Sequence, residues 1–517
     1  MIATLFLTIL GLADSIYLTF EHYSNVIPPC TLNRFLTILS DCGLVLRSPY
    51  SVMFGIPIAV IGVVSYSILS IAIILSLTTD KKIFRYWVVG HAIIGALASL
   101  VFMYIQLGII KSICIYCTAS ALISFIVVIL VYGQLKKERY EMHETVYKFF
   151  YQTILKPFYF LFDPEFVHER MVDFGQAISK TFLIQFIGSK LIYKDKSLRQ
   201  KILGINFENP VGLAAGFDYD AKLTNTLYYL DFGFQTAGTV TAHPYAGNPP
   251  PRLGRLPNSK SLMVNKGFKN QGSLVISEKI KNTNFKIPVG ISIGVTNSRK
   301  LSSIEDAVAD IILAFKVFEK SNVKNSYYEL NISCPNLLNT DKISFYPPKN
   351  LKRLLESVDK LKLKKPVFVK MPIEETDRVF MRIIDELAKH KTIKGVVIGN
   401  LYHRNYKNND SFDKKELARF RTGNFSGKPC EPRSNELIVK TYKKYGDKLV
   451  IIGTGGIFSA ADAYKKIKLG ASLVQLITGM IYQGPQLISQ INLGLIDLIK
   501  KDGFKNIGEA VGSLHSP

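Results

Sequence analysis

Charge is what the first 135 residues lack. Met1 to Phe20 carries only Asp14, while Val52 to Leu77, Tyr86 to Ile110 and Ser112 to Leu135 carry none beyond a histidine, His91. Each stretch approaches the ~20 residues a spanning helix needs, which excludes a chain that is soluble throughout. The first stretch also lacks a basic leading segment and a small-residue cleavage site. Three more apolar stretches follow it, so it is no removable signal peptide. Cysteine is scarce: there are six, and only Cys114 and Cys117 form a tight pair. Without a second tight pair, the cysteines near the apolar stretches make a poor structural zinc site. Acidic residues number 40 against 64 basic ones, a formal charge of +24. No nucleic-acid-binding motif accompanies that excess and the lysines are scattered, so nucleic acid is not the expected partner. A face set against an anionic membrane accounts for it better, and a drift of composition toward Lys, Asn and Ile accounts for part of it.

What is present is two unlike halves. The 517 residues predict more than one domain, and the hydrophobic excess lies before about residue 135. The expected organisation is a four-helix transmembrane bundle over residues 1–140, a helical extension over 145–200 and a globular domain over 201–510. Lys81, Lys82 and Arg85 separate the second and third spans, and Lys136, Lys137 and Arg139 follow the fourth. Basic residues stay on the cytoplasmic side, so the chain is expected in the inner membrane, multi-pass, with its globular half in the cytoplasm. Cys30 and Cys42 then lie in the outer loop, and Cys114-Ile115-Tyr116-Cys117 opens the fourth span at its outer end. A helix N-terminus favours a thiolate, which disulfide exchange needs. Electrons can pass from a periplasmic thiol to Cys30 and Cys42, then to Cys114 and Cys117, then to a quinone within the bundle. Asp14 and His91 read either as proton relays or as satisfied polar residues inside it.

The motifs here are specific. Gly11-Leu12-Ala13-Asp14-Ser15 with Tyr17-Leu18, then Asp41-Cys42, Val45-Leu46, Ser48, Tyr50-Ser51, Phe54-Gly55-Ile56-Pro57 and the CxxC resemble the vitamin K epoxide reductase family. The resemblance implies a bundle that reduces a quinone and oxidises thioredoxin-like partners. Bacterial members commonly carry a fused thioredoxin domain and none is read in this chain, so the thiol partner is expected to be a separate periplasmic thioredoxin-like protein or to be absent.

Between the halves, Tyr147 to Phe162 is rich in aromatics. Asp163-Pro164-Glu165 then reads as an N-cap and first turn of a further helix. Two short amphipathic helices here can lie on the membrane and admit an apolar ligand, or simply plug the end of the domain that follows. Beyond them, eight short apolar runs alternate with helical stretches: 210–216, 234–240, 287–294, 327–333, 366–371, 395–400, 449–456 and 473–479. That pattern predicts parallel strands buried on both faces, closed as a (β/α)₈ barrel, so the fold class is α plus α/β. Asn331-Ile332-Ser333-Cys334-Pro335-Asn336 follows the fourth run, at the rim where barrel enzymes gather their catalytic groups. Amides there can hold a flat, carbonyl-rich ligand, and a thiol can take a proton from it; a turn with an inert buried cysteine is the plain alternative. Gly453-Thr454-Gly455-Gly456 and Thr478-Gly479 end the last two runs, where backbone N–H groups can meet a phosphate.

The barrel resembles the dihydroorotate dehydrogenase family. The carrying motifs are Asn209–Asp218, Gly238-Thr239-Val240-Thr241, Pro251-Arg252-Leu253, Asn265-Lys266-Gly267-Phe268, Asn331–Asn336, Val369-Lys370, Ser426-Gly427-Lys428-Pro429, Gly453–Ile457 and Gly470–Gln475. Phe162–Glu165 with His168-Glu169 is similar to the extension of the quinone-using class. The resemblance implies FMN, with its phosphate on Ser426, Gly427, Gly455, Gly456, Thr478 and Gly479. Its ring would rest by Ala214, Ala215, Gly216, Thr239 and Asn331, and Lys370 would reach its polar edge. A dihydroorotate-like molecule would be gripped by Asn265, Asn331, Asn336 and Asn400, with Cys334 as base. A quinone, ubiquinone or menaquinone, would enter near His168 and Arg255. The chain departs from the family at several positions. Cys334 stands where the quinone-using class has Ser, and Tyr219 where a Lys is usual. Ser292 replaces an Asn, Leu401 a hydroxyl residue and Ile477 a Tyr. A thiol is an easier base than a hydroxyl, and a nearby cation would ease it further. The first functional expectation is a membrane-bound flavoenzyme that oxidises dihydroorotate with quinone, in pyrimidine biosynthesis, fused to a disulfide-forming quinone reductase. The second is a diverged FMN barrel with another substrate or none, thiol oxidation being the working activity.

Overall fold

The computed structural model describes residues 1–24, 26, 41–79, 81–338, 343–403 and 411–515. It divides into two compact units, Met1–His143 and Glu144–Pro517. The division falls within a helix, Lys136–Phe150.

Among the described residues the first unit holds four helices long and apolar enough to cross a membrane: Ile2–Ser24, Ile58–Thr78, Lys82–Ile110 and Ile115–Gln134. They lie within the four charge-poor stretches or overlap most of each. Small polar groups join them, as spanning helices require where no water competes. Thr8 accepts from the Ser70 hydroxyl at 3.0 Å, and the Tyr66 hydroxyl reaches the Ser120 carbonyl at 2.9 Å. One end of the bundle gathers the basic residues: Lys82 pairs with Glu141 at 2.9 Å and Arg85 with Glu138 at 3.0 Å. The opposite end gathers the cysteines, with Cys42 and Cys114 packed in one buried cluster.

The second unit is built on eight parallel strands: β1 Val211–Leu213, β2 Phe234–Val240, β3 Val289–Ile293, β4 Tyr327–Asn331, β5 Val367–Met371, β6 Ile393–Ile398, β7 Val450–Thr454 and β8 Leu473–Leu476. They close in the order β4-β5-β6-β7-β8-β1-β2-β3. Every one corresponds to a predicted run. The strands are apolar throughout because helices cover them outside and side chains fill the lumen. The floor of the lumen is aromatic: Phe207, Phe234, Tyr327 and Phe368 pack with Val397, Ile452 and Leu473. Phe207 comes from an antiparallel hairpin, Gln200–Ile202 with Ile205–Phe207, and meets the Phe234 ring edge-on at 5.4 Å. Gly290 makes room for this layer, since a Cβ there would stand 2.1 Å from the Tyr327 ring. The helix Pro164–Ile178 starts as the sequence predicts. Asp163 caps it, accepting from the amides of Glu165 and Phe166 at 2.9 Å, and Pro164 fills the first turn. A second extension helix follows at Phe182–Leu191.

Candidate active site at the barrel mouth and a second cavity in the bundle

The C-terminal ends of the strands open into a cavity of about 1160 Å³ counted out to its mouth. Its wall brings together Ala214, Ala215, Gly216, Thr239, Asn331, Cys334, Asn336, Lys370, Asn400, Ser426, Gly427, Gly455, Gly456, Thr478, Gly479 and His168, residues drawn from seven of the eight strand ends and the extension. Tyr219, Leu401 and Ile477 stand in the same wall. One part is apolar, lined by Leu253, Leu262, Val264, Phe458 and Ile481. Among the described residues the wall holds two lysines, Lys266 and Lys370, and no carboxylate.

The amides that sequence reasoning singled out are each held by a neighbouring polar group. Asn331 Nδ2 donates to Thr239 Oγ1 at 2.9 Å, and Asn400 Nδ2 donates to the Ser333 hydroxyl at 2.7 Å. Asn336 Oδ1 accepts from Asn424 at 2.6 Å, and its carbonyl accepts from Asn248 at 2.9 Å. Asn248 and Asn424 escaped the sequence reading, since neither lies in a motif with a chemical signature. Beneath them runs a chain of buried groups. Ser292 donates to Glu329 Oε1 at 2.7 Å and lies 2.9 Å from Thr239 Oγ1. Ser292 spends its only proton on the carboxylate, so the Thr239 hydroxyl donates to Ser292 and keeps its lone pairs for Asn331. The exchange of Asn for Ser at 292 thus keeps a directed chain.

At the last two strand ends, glycine brings backbone to the surface. Gly427, Gly455 and Gly456 have φ of +89°, +96° and +76°. A Cβ on Gly456 would lie 2.3 Å from Glu431, and one on Gly479 would lie 2.0 Å from the Ile457 carbonyl. Ser426 and Thr478 add hydroxyls 2.8 Å apart.

Two expected residues lie outside this wall. Asn265 accepts from Asn248 at 3.0 Å, and its neighbour Lys266 takes the place in the wall. Arg255 donates to the Phe162 carbonyl at 2.8 Å, with its guanidinium 4.5 Å over the Phe160 ring, so it holds the extension. The eased thiol is corrected too: burial pushes Cys334 up to about 11, and the Lys370 charge only partly opposes it. Cys430, which had no expected role, is also in the wall, and burial holds its thiol high, at about 12. His168 donates from Nε2 to the Phe217 carbonyl at 2.8 Å, so Nδ1 is free to accept from Lys266 at 3.2 Å. Burial, and then the Lys266 charge, press His168 down to about 3, which keeps it neutral.

The bundle holds a cavity of its own, about 1300 Å³ counted the same way, whose wall mixes apolar side chains with Cys117, Tyr66, His91, Gln106 and several serines, Ser120 and Ser124 among them. Cys114 lies buried as the N-cap of the fourth span, its sulfur accepting from the Cys117 amide at 3.5 Å and its own amide donating to Gln106 at 2.9 Å. Cys42 is disulfide-bonded, whereas Cys114 and Cys117 are free. Cys30 lies outside the described residues. His91 is satisfied by Ser65 at 2.9 Å, while one buried oxygen of Asp14 has no hydrogen-bond partner. Among the described residues no group of His, Cys, Asp and Glu is placed to hold a metal.

Comparison with known proteins follows the same division. The family model for dihydroorotate dehydrogenase matches residues 197–499, and that for the vitamin K epoxide reductase family matches residues 2–132. The dihydroorotate dehydrogenase (quinone) of Christiangramia forsetii is 37% identical over 355 residues, 67% of this chain and 99% of that protein. That of Trichodesmium erythraeum is 34% identical over 389 residues, 70% of this chain and 98% of its own length. Among solved structures, ligand-free dihydroorotate dehydrogenase from Eimeria tenella aligns with a TM-score of 0.56 at 24% identity, covering 66% of this chain and 99% of that one. It shares the fold. The chain is an oxidoreductase that belongs to the dihydroorotate dehydrogenase family and carries a vitamin K epoxide reductase-like domain ahead of its barrel.

Proposed function

We propose that the barrel oxidises dihydroorotate to orotate with FMN and delivers the electrons to a quinone. The supporting observation is one cavity, free of carboxylates among the described residues, that joins a glycine cradle, a cluster of oriented amides, a thiol and an apolar stretch. The residues present fit FMN. The turns at Gly427, Gly456 and Gly479 are too tight for a side chain, so backbone N–H groups and the hydroxyls of Ser426 and Thr478 are what a phosphate would meet. Ala214, Ala215, Gly216 and Thr239 would border the ring, and Lys370 would face its polar edge. When bound, FMN supplies the acceptor for the hydride that leaves C6 of the substrate.

The chain's own residues do the rest. Asn331, Asn336 and Asn400 hold the substrate's carbonyl and N–H groups, and their hydrogen bonds to Thr239, Asn424 and Ser333 spare the cost of ordering them on binding. Cys334 takes the C5 proton, so one proton and one hydride leave together and a C5–C6 double bond forms. The wall of Leu253, Leu262, Val264 and Ile481 receives an apolar quinone head. His168, held neutral, lines the way to it.

The bundle oxidises a pair of thiols on a separate thioredoxin-like protein and reduces a quinone to a quinol in its own cavity. Cys117 faces that cavity, with Cys114 buried behind it. The basic end, near Lys82 and Arg85, faces the cytoplasm with the barrel, and the cysteine end faces outward across the inner membrane. The deciding experiment is anaerobic titration of the purified protein's flavin spectrum with dihydroorotate. Bleaching supports the reading, and colourless protein refutes FMN. Flavin that dihydroorotate leaves oxidised favours the second reading, a diverged barrel, to which Leu401 in the substrate wall gives some ground.

A further inference from the structure

We propose that Lys266 is the anion-binding cation of the barrel mouth, supplied from a different element to replace the one that Tyr219 lacks, and that His168 and Glu165 position it. This rests on the FMN and dihydroorotate reading and names a residue that reading leaves idle. Three observations carry it. Lys266 is 3% exposed yet stands in the cavity wall, so its ammonium is turned inward and away from water. Its Nζ is 3.2 Å from His168 Nδ1, 3.8 Å from Glu165 Oε1 and 5.1 Å from the centre of the Tyr219 ring. Those contacts leave an ammonium hydrogen for a ligand. Glu165 is not its private counter-ion, because Arg252 already binds that carboxylate at 2.8 and 3.0 Å and Lys269 reaches it at 3.4 Å. A buried cation whose nearest carboxylate is shared with two other cations remains short of negative charge, and the described residues of the wall offer none.

The wiring fixes where the charge sits. His168 donates to the Phe217 carbonyl, so its other nitrogen can only accept, and it accepts from Lys266. The Tyr219 ring lies beneath the ammonium as an apolar, electron-rich floor. A Lys at 219 would have filled that space with its own charge. The ligand chemistry is an anionic or electron-rich edge on a flat ring. Two sources offer it, the carboxylate of the substrate and the polar edge of the flavin.

The test uses the full chain in detergent, wild type against K266M and K266R, with orotate and FMN as probes. Orotate affinity is read from the perturbation of the flavin spectrum, and FMN content and flavin midpoint potential are read separately. If Lys266 holds the carboxylate, K266M weakens orotate binding by about ten- to a hundredfold at unchanged FMN content and potential, and K266R recovers most of it. If it holds the flavin edge, K266M lowers the potential or the FMN content and leaves orotate binding intact. Burial presses Lys266 down to about 8, so the wild-type orotate affinity falls as pH rises past that value, while K266R shows no such break. The charged and titrating groups around it are Glu165, His168 and Glu169 on the extension, Tyr219 after β1, and Arg252 and Lys269 on either side of the antiparallel pair Leu253–Leu256 and Ser261–Val264. Unchanged orotate affinity and unchanged flavin potential in K266M overturn the proposal. So does a loss of both that K266R fails to restore, since that reports a collapsed wall. Wild-type protein without FMN refutes the underlying reading before any variant is compared.

Discussion

A buried thiol is a costly base, and the cost sets a measurable pH profile. Cys334 is held at about 11 because burial outweighs the Lys370 charge and a backbone hydrogen bond. At pH 7 it is about four units below that value, so roughly one molecule in 10⁴ carries the thiolate. Only that fraction can take the C5 proton, and it grows tenfold with each pH unit. The rate at which dihydroorotate reduces the bound flavin should therefore rise about a hundredfold between pH 7 and pH 9. Cys334→Ala should cut the rate by ~10²–10⁴-fold and flatten the profile. It should leave FMN bound, because the glycine cradle lies on other strands. The assay is anaerobic stopped-flow bleaching of the flavin, with orotate affinity measured alongside to separate binding from chemistry. A wild-type rate that is flat from pH 7 to pH 9 would refute the reasoning, and so would Cys334→Ala at the wild-type rate.

Three further outcomes follow from the geometry. Gly290→Ala would place a methyl 2.1 Å from the Tyr327 ring, which its bond to Thr236 at 2.7 Å keeps from moving. The barrel should lose about 3 kcal/mol, seen as flavin release at lower temperature, and release at the wild-type temperature would show that the floor can yield. Asp231 is buried against Asn492 and its carboxyl is raised to about 8 by burial. Folded protein then keeps a proton that the unfolded chain has lost, so stability falls by up to ~1.4 kcal/mol per pH unit from about 4 to about 8 and levels off above. Asp231→Asn keeps the left-handed turn at φ +66° and should flatten that slope in urea unfolding of the barrel; an unaltered slope would assign it elsewhere. Cys117→Ala should stop thiol oxidation by membranes while the barrel's dihydroorotate:quinone activity stays at the wild-type level, and undiminished thiol oxidation would make the CxxC structural.

The strands were legible because a strand buried on both faces leaves a short apolar run, and all eight runs of this chain are strands. The glycine cradle was legible because a turn that excludes a side chain restricts the residue to glycine. The basic and cysteine ends of the bundle were legible from charge and spacing alone. What stayed hidden depended on direction or depth. Asn265 and Lys266 are neighbours just past the strand Ser261–Val264, and one step along an extended chain reverses the face a side chain presents. A one-residue choice therefore decided which of them entered the wall. Glu329 and Ser292 read as stray polar residues in apolar runs until the β3–β4 register sets them side by side. The depth of Cys334 cannot be read from its motif, so a cation expected to ease the thiol proved weaker than burial.

The departures from the family pattern make more sense together than singly. Tyr219 removes a cation from one side of the mouth, and Lys266, above its ring, supplies one from another. Ser292 removes an amide, and Glu329 on the next strand gives its hydroxyl a fixed direction that passes through Thr239 to Asn331. A wall losing its ligand would be free to gain carboxylates or to fill the cradle with side chains, since nothing anionic would be left to repel or exclude. Among the described residues this wall holds two lysines, no acid and glycine at each tight turn. Exchanges that conserve charge and hydrogen-bond direction while changing the residues that carry them are what continued binding of one flat, electron-rich ligand requires. The sharpest challenge to that view is Leu401. Its side chain carries no hydroxyl, so the substrate's contact beside Asn400 is where a change of specificity should appear first.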